Sequence, residues 1–295
     1  MSASSPSDTD ASSVHIDLDG AWPKDALPGA AYLDGREWGP HLRFSATRSG
    51  IRDFYEFTRP QSARFTLYGS GDFHHLSALW VRQFEAPFTL ISFDNHPDWD
   101  VRPPFWCCGT WINRALELPQ VKRAVVWGCG NFELNWPNSL FANHRALRAG
   151  RLAVWPWTER LNAKARLRWA GLTREDWRAK FADFVEKLRG ERVYITVDLD
   201  CLCPEDATTN WENGLFTADD VAWALGQIGG QAEIVGGDVC GAKSTAKYAR
   251  LKQRIESHLD HPKMPAVDEG EARRRNLRTL AIVWEALTGA GVSVA

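Results

Sequence analysis

The chain of 295 residues lacks any long apolar run. None reaches the roughly 18 residues that a membrane-spanning helix needs, so no membrane partner is expected. It also lacks an excess of charge of one sign: 35 Lys and Arg stand against 37 Asp and Glu, for a formal net charge of −2. No overall field draws the chain to nucleic acid or to an anionic surface. The one basic run, "EARRRNLR" (271–278), has acidic neighbours and reads as a solvated or oligomer-facing stripe. There is no internal repeat and no Gly/Ser-rich linker, so residues 15–295 are expected to form a single domain. The start, "MSASSPSDTDASS", lacks the basic and apolar regions of a signal peptide, and residues 1–14 read as a disordered tail. Six cysteines without a secretory signal suggest reduced thiols and a cytoplasmic setting.

What is present is ordinary globular material, 44% hydrophobic and 24% charged, with an unusual 15 tryptophans. Short apolar, β-rich runs recur at 64–70, 87–94, 123–130, 151–157, 192–200 and 232–239. Helix-compatible segments lie between them. "HLSALWVRQF" follows the first run. "TREDWRAKFADFVEKLRG" carries Thr173 as an N-cap and Gly190 as a stop. "TADDVAWALGQIG" carries Thr217 as an N-cap with Asp219 and Asp220 in the first turn, and "DEGEARRRNLRTLAIVWEALTG" closes the chain. Strands alternating with helices imply parallel βαβ units, and near-continuous apolar strands fit a sheet covered on both faces. In such folds ligands bind outside the carboxyl ends of the strands.

Three polar clusters stand at those ends: "GSGDFHH" (69–75), "DNHPDWD" (94–100) and "DLDCLCPED" (198–206). Together they offer His74 or His75, Asp94, His96, Asp98, Asp198 and Asp200. A lone Asp after a strand is usually a turn or a cap. Three such clusters converging on one sheet edge cannot be buried without a counter-charge, because a buried ionised carboxylate costs several kcal/mol unless compensated. Divalent cations supply that compensation, and a mixed His/Asp set suits Mn²⁺, with Zn²⁺ or Fe²⁺ as alternatives. A reading without metals treats the clusters as caps and turns of a generic α/β enzyme.

These motifs resemble the arginase/agmatinase/formiminoglutamase superfamily of ureohydrolases, whose pattern runs Gly-Gly-Asp-His, Asp-Ala-His-x-Asp and Asp-x-Asp, each at a strand end. The order agrees over about residues 64 to 240, and "CGTWINRALE" (108–117) is similar to the family's "HGTxFRRALE". The resemblance implies a three-layer α/β/α fold with a mostly parallel central sheet, two Mn²⁺ ions and a homo-oligomeric assembly. It implies that Asp94 and Asp198 bridge the two ions, that Asp98 and one His of the 74–75 pair complete one, and that His96 and Asp200 complete the other. A hydroxide between the ions would attack a planar guanidine, amidine or amide carbon, the C–N bond would break, and Asp98 would take a proton. "HLSAL" after His75 matches the family's helix start, so His75 is expected as the ligand. His74 is then a catalytic or substrate-facing neighbour, or a packing residue at a helix N-terminus.

The departures bear on substrate. The family's proton-transfer His in the HGT stretch is Cys108 here, which leaves three readings: an acid, a nucleophile, or a small buried residue in a site of changed chemistry. At the position where arginases hold an Asn for the substrate's carboxylate stands Asp100, which would repel a carboxylate and favour a cationic or neutral ligand, unless it faces solvent or pairs with Arg102. The family's guanidinium-binding Glu falls near "GGDVCG", where Asp238 is the nearest candidate. Trp99, Trp106, Trp111 and Trp211 flank the motifs. Packing accounts for most of them, and Trp111 is retained as a candidate to stack on a planar or cationic substrate. All six cysteines lie on or near the same edge, and one or two thiolates reaching the ions would shift the preference from Mn²⁺ toward Zn²⁺ or Fe²⁺. The expectation is a binuclear-metal hydrolase of a non-peptide C–N bond, acting on a small molecule other than arginine. The alternative is a metal-binding but catalytically silent relative.

Overall fold

A computed structural model describes residues 12–289. Its centre is a single sheet of eight strands: β1 (Ser13–Asp17), β2 (Ala31–Asp34), β3 (Phe65–Tyr68), β4 (Phe88–Phe93), β5 (Val121–Trp127), β6 (Leu152–Trp155), β7 (Arg192–Asp198) and β8 (Glu233–Cys240). The order is β2-β1-β3-β8-β7-β4-β5-β6, and every pairing is parallel. The six strands expected from the apolar runs are all there. β1 and β2 are additions at one edge. "SVHID" and "AYLD" are too short, and too close to Ser-, Asp- and Gly-rich sequence, to stand out as apolar runs. Ser13 and Val14, expected in the tail, belong to β1, while residues 1–11 of that tail lie outside the described residues.

Helices cover both faces, as the apolar strands require. Alternate residues of one strand feed different cores, because successive side chains on a strand point to opposite faces. In β4, Phe88 and Leu90 join the core that contains Ile51, Phe54, Ile112 and Leu116. Ile91 and Phe93 join the opposite core, with Phe181, Leu225 and Val283. The first face is covered by α1 (Arg48–Thr58) and α2 (Trp111–Leu116). The second is covered by α3 (Trp177–Glu186), α4 (Ala218–Gly229) and α6 (Glu269–Thr288), while α5 (Leu251–Asp260) packs nearer the strand ends. Among the described residues, no helix is long and apolar enough to cross a membrane.

The helix ends follow the sequence grammar closely. Thr217 caps α4 by accepting from the Asp220 N–H, and Asp220 returns the bond to the Thr217 N–H. Asp268 caps α6, and Gly289 ends it with φ +73°. Gly190 takes φ +72° just past α3. Thr173 does not cap α3 directly: it exchanges hydrogen bonds with Asp176 in the preceding turn, and the helix starts at Trp177. "HLSALWVRQF" is not one helix. A 3₁₀ turn over Gly71–Leu76 leads into a short α-helical turn at Ser77–Trp80 and a second 3₁₀ turn at Val81–Gln83. That tight winding decides which of two adjacent histidines faces the sheet edge.

Thr217→Ala removes the oxygen that satisfies the Asp220 N–H at the start of α4. A loss of about 1 kcal/mol of stability is expected, read as a lower midpoint in urea with an unchanged slope.

Candidate metal centre

β3, β8, β7, β4 and β5 are consecutive neighbours in the sheet, so the segments leaving their carboxyl ends meet over its middle. β4 stops at Phe93. Asp94, His96 and Asp98 therefore lie on the loop beyond it, and their every-second-residue spacing is not a strand pleat. The His96 N–H donates to Asp94 Oδ1 at 2.7 Å and closes a turn. Asp98 takes φ +49°, a left-handed conformation that Asp tolerates better than most residues. Asp198 is the last residue of β7, and Asp200 sits in the 3₁₀ turn after it, donating its N–H to Asp198 Oδ1.

His74 enters from the 3₁₀ turn after β3. Its Nδ1 lies 3.0 Å from Asp94 Oδ2, 3.3 Å from Asp98 Oδ2 and 3.5 Å from Asp198 Oδ2, yet it is in hydrogen-bonding geometry with none of them. On the other side, His96 Nδ1 stands 2.8 Å from Asp200 Oδ2 and 3.6 Å from Asp94 Oδ1. Three sets of metal-competent atoms result: His74–Asp94–Asp98 and Asp94–His96–Asp200, which share Asp94, and His74–Asp198–Cys240, which shares His74 with the first. All of these side chains except that of His96 are essentially sealed from solvent. The donor set, imidazole nitrogens and carboxylate oxygens arranged around common points with His74 Nδ1 and Asp94 Oδ2 unpartnered, fits a pair of divalent cations.

A polar chain behind His74 sets its tautomer. Thr196 Oγ1 donates its one proton to Asp238 Oδ1 at 2.6 Å and lies 2.9 Å from His74 Nε2. The hydroxyl has no second proton, so it accepts from His74 Nε2–H, leaving Nδ1 as the ligand-facing atom. Asp238 also accepts from Tyr68, Ser77 and Tyr194.

The electrostatics follow from crowding. Burial opposes charge on His74, but Asp94 and Asp98 raise it well above an ordinary imidazole. Burial likewise opposes charge on His96, and Asp200 raises it. Burial would lift Asp94, yet the two histidines hold it low. Burial and the Asp94 charge push Asp98 up to about 7. Burial, then the neighbouring Asp198, raises Asp200.

Several expected residues take other places. His75 is not in the cluster: the 3₁₀ winding turns it away, neither ring nitrogen has a hydrogen-bond partner among the described residues, and burial drives its imidazole down to about 3. His74 occupies the ligand-facing position instead. Asp100 does not face the site. Its carboxylate grips Arg102, which is half-exposed, so no inference about substrate charge follows from it. Asp238 lies behind the site as the acceptor for Thr196, not on the cavity wall. Trp111 is fully buried, packs 4.8 Å from the His74 ring and donates its indole N–H to Asp98 Oδ2, so it positions the ligands rather than the substrate. Cys108 does reach the site. It lines the narrow pocket over the cluster, with its sulfur 4.0 Å from Cys107 Sγ. The hydrogen-bond contact with Cys107, and then burial, keep its thiol protonated.

The arrangement can be compared with known proteins. No family model matches the chain. A protein of Thermotoga maritima described as uncharacterized is 26% identical over 201 residues, spanning 68% of this chain and 67% of that protein. The structure of arginase from Bacillus subtilis superposes with a TM-score of 0.55 at 12% identity, covering 95% of this chain and 99% of that one. The chain has the arginase-like fold. Agmatine ureohydrolase of Thermoplasma volcanium gives 0.51 at 14% identity over 94% of this chain and 90% of that one. At these identities the likeness is one of fold, and the site of this arginase-like chain is argued from its own geometry.

Other residues complete the cavity: Asn131, Phe132, Glu133, Trp211 and Asp260. Asn131 and Glu133 follow β5, so the strand-end rule that selected the other clusters applies to "GCGNFEL" as well. Trp211 donates to Asp72 Oδ1 and stacks on His261 at 4.0 Å. Asp260 ends α5, remote in sequence from every motif, and no local signal marks it. Burial pushes Glu133 up to about 8, with His96 opposing and Asp98 reinforcing, and its Oε2 has no hydrogen-bond partner among the described residues.

The Glu133 shift has a defined sign. An ordinary Glu titrates at 4.5, and this one at about 8 when folded. Between those values the unfolded chain has given up a proton that the folded chain keeps, so stability falls as pH rises across the window and levels off above it. Urea denaturation of the metal-free protein at about pH 5, 7 and 9 should show the wild type losing stability relative to Glu133→Gln. Parallel profiles would remove this assignment.

Proposed function

We propose that this chain is a divergent member of the arginase/agmatinase/formiminoglutamase superfamily that uses two divalent cations to hydrolyse a non-peptide C–N bond. The reading rests on one observation: carboxylates and imidazoles from three separate strand ends converge, buried, on two sets of ligand positions that share Asp94. His74, Asp94, Asp98 and Asp198 would hold one ion, and His96, Asp200 and the shared Asp94 and Asp198 the other. Mn²⁺ suits such nitrogen and oxygen donors, with Zn²⁺ or Fe²⁺ as alternatives. Bound there, the ions supply Lewis-acid polarisation and lower the pKa of water enough to make it a nucleophile near neutral pH.

The chain's own residues do the rest. Asp98 is the group to accept a proton from the attacking water, its carboxylate oriented by Trp111 Nε1–H. Cys108, kept as a thiol, serves as a hydrogen-bond donor or acid on the wall and is a poor thiolate nucleophile. Glu133 and Asp260 add carboxyl groups to the cavity, and no Lys or Arg is found among the described residues lining it. That wall favours a cationic or neutral guanidine or amidine, with a linear amide second, over an anionic substrate. Trp211 lines the same wall, its ring held in a stack with His261. Six free thiols, five of them buried, suit a reducing cytoplasm. The exposed row Leu251, Ile255 and Leu259 on α5 gives a homo-oligomer a surface to use.

The test is the protein loaded with Mn²⁺ and assayed against guanidino compounds, amidines and linear amides. Turnover of at least one cationic or neutral member is expected, falling by about 100-fold or more in Asp98→Asn. Less than about one equivalent of bound metal after metal-supplemented purification would count against the charge-compensation argument. A second reading, a metal-binding protein without turnover, is favoured by one feature: Cys108 stands where the resembling motif has its proton-transfer His. If Cys108→His creates hydrolysis absent from the wild type, that reading takes over.

A further inference from the structure

Cys240 is the last residue of β8 and is fully buried. The register of β7 and β8 sets it directly beside Asp198, and register partners on adjacent strands present their side chains to the same face of the sheet. Its Sγ stands 3.5 Å from Asp198 Oδ2. That sulfur, a carboxylate oxygen of Asp198 and a ring nitrogen of His74 all lie within 4.8 Å of one another. His74 Nδ1 approaches Asp94 Oδ2, Asp98 Oδ2 and Asp198 Oδ2, and it is buried with no hydrogen-bond partner among the described residues. Gly241 follows with φ +107°. A Cβ there would strike Asp198 Oδ1 at 2.3 Å, so the backbone can turn away and leave the sulfur beside Asp198 only with glycine at this position.

The geometry points to Cys240 as a sulfur ligand of the ion on the His74 side of the pair. This rests on the two-ion reading above and deepens it. With metal–nitrogen and metal–sulfur bonds of about 2.1 and 2.3 Å, adjacent ligand atoms around one ion stand about 3 to 4 Å apart, so the observed spacing needs only a small contraction. The two halves of the centre are then chemically unequal. The His96 half offers nitrogen and oxygen alone, whereas the His74 half adds a soft thiolate, its proton released to solvent on binding. A thiolate moves the preference of that half from Mn²⁺ toward Zn²⁺, Fe²⁺ or Co²⁺. The other cysteines do not compete for the role among the described residues. Cys129 and Cys201 belong to no ligand set, and Cys108 pairs with Cys107 on the cavity wall.

Cobalt loading reads this without reference to activity. The wild type, Cys240→Ser and Cys108→Ser are each loaded with Co²⁺, and bound metal, visible ligand-field bands and near-ultraviolet thiolate-to-cobalt charge transfer are recorded. The expected result is a charge-transfer band in the wild type and in Cys108→Ser, lost in Cys240→Ser while bound cobalt and visible bands persist. In competition, Cys240→Ser should also shift the Zn²⁺-over-Mn²⁺ preference down by about tenfold or more. A wild type that binds cobalt without the near-ultraviolet band overturns the inference and leaves the two-ion reading standing. So does a band that survives in Cys240→Ser and disappears in Cys108→Ser. A wild type that binds no cobalt at all overturns both. If Cys240→Ser fails to fold, Cys240→Ala and the wild-type spectrum decide.

Discussion

Mutual repulsion among buried carboxylates is the constraint around which this molecule is arranged. Asp94, Asp98, Asp198 and Asp200 are brought together where water cannot screen them. Left alone, such a group costs far more than any single packing contact returns. It persists because its members are tied to two stiff segments, the ends of β4 and β7. Asp198 ends a central strand, Asp200 sits in the tight turn after it, and Asp94 and Asp98 are set by a turn and a left-handed residue on the loop beyond β4. The parallel sheet with two covered faces is what makes those elements stiff, since β4 and β7 are each anchored in two cores at once. In the two-ion reading proposed above, divalent cations would convert the resulting concentration of negative charge from a liability into affinity.

Around that centre the structure places acceptors and donors that aim the ligands without touching the cavity. Asp238 gathers four hydroxyls, one of which, from Thr196, fixes the ring of His74. Asp72 does similar work on the far side. Its carboxylate binds buried Arg43, at 2.6 Å from Nε, together with His261 and Trp211. Burial opposes its charge, but Arg43 and His261 hold it down at about 2. It therefore stays ionised and keeps the Trp211 wall in place. These supporting groups explain why the substitutions read from the sequence as substrate contacts are better understood as scaffolding. Trp111 and Asp238 are both large investments in orientation.

Much of the fold was legible in the amino-acid order. The six central strands announce themselves as β-branched, apolar runs, and the cap at Thr217 and the stop at Gly190 follow from residue type and spacing. The site was legible at the level of segments, because parallel sheets collect function at their carboxyl ends. It was less legible at the level of single side chains. Adjacent residues in a 3₁₀ turn point about 120° apart, and nothing local says where that turn begins, so His74 and His75 were exchanged. Asp100 read as a substrate residue because it stands where the resembling motif has an Asn for the substrate's carboxylate. Of the readings open in the sequence, the structure takes the pairing with Arg102, two residues on, which captures the side chain. Thr196 could have been found: it lies two residues before Asp198 on the same face of β7.

The sequence by itself determined the parallel α/β architecture, the strands that bear the chemistry and five of the side chains that meet there, Asp94, His96, Asp98, Asp198 and Asp200. Those features depend on periodicity and residue type along one short stretch at a time. Only the tertiary structure decided which histidine joins them, that Asp238 and Trp111 stand behind the ligands, that Glu133 and Asp260 close the wall, and that Cys240 lies beside Asp198. Each of these is a relation between segments far apart in the chain. Such relations are set by strand register, by the winding of one 3₁₀ turn and by the packing of α5 over the strand ends, and no local run of residues encodes them.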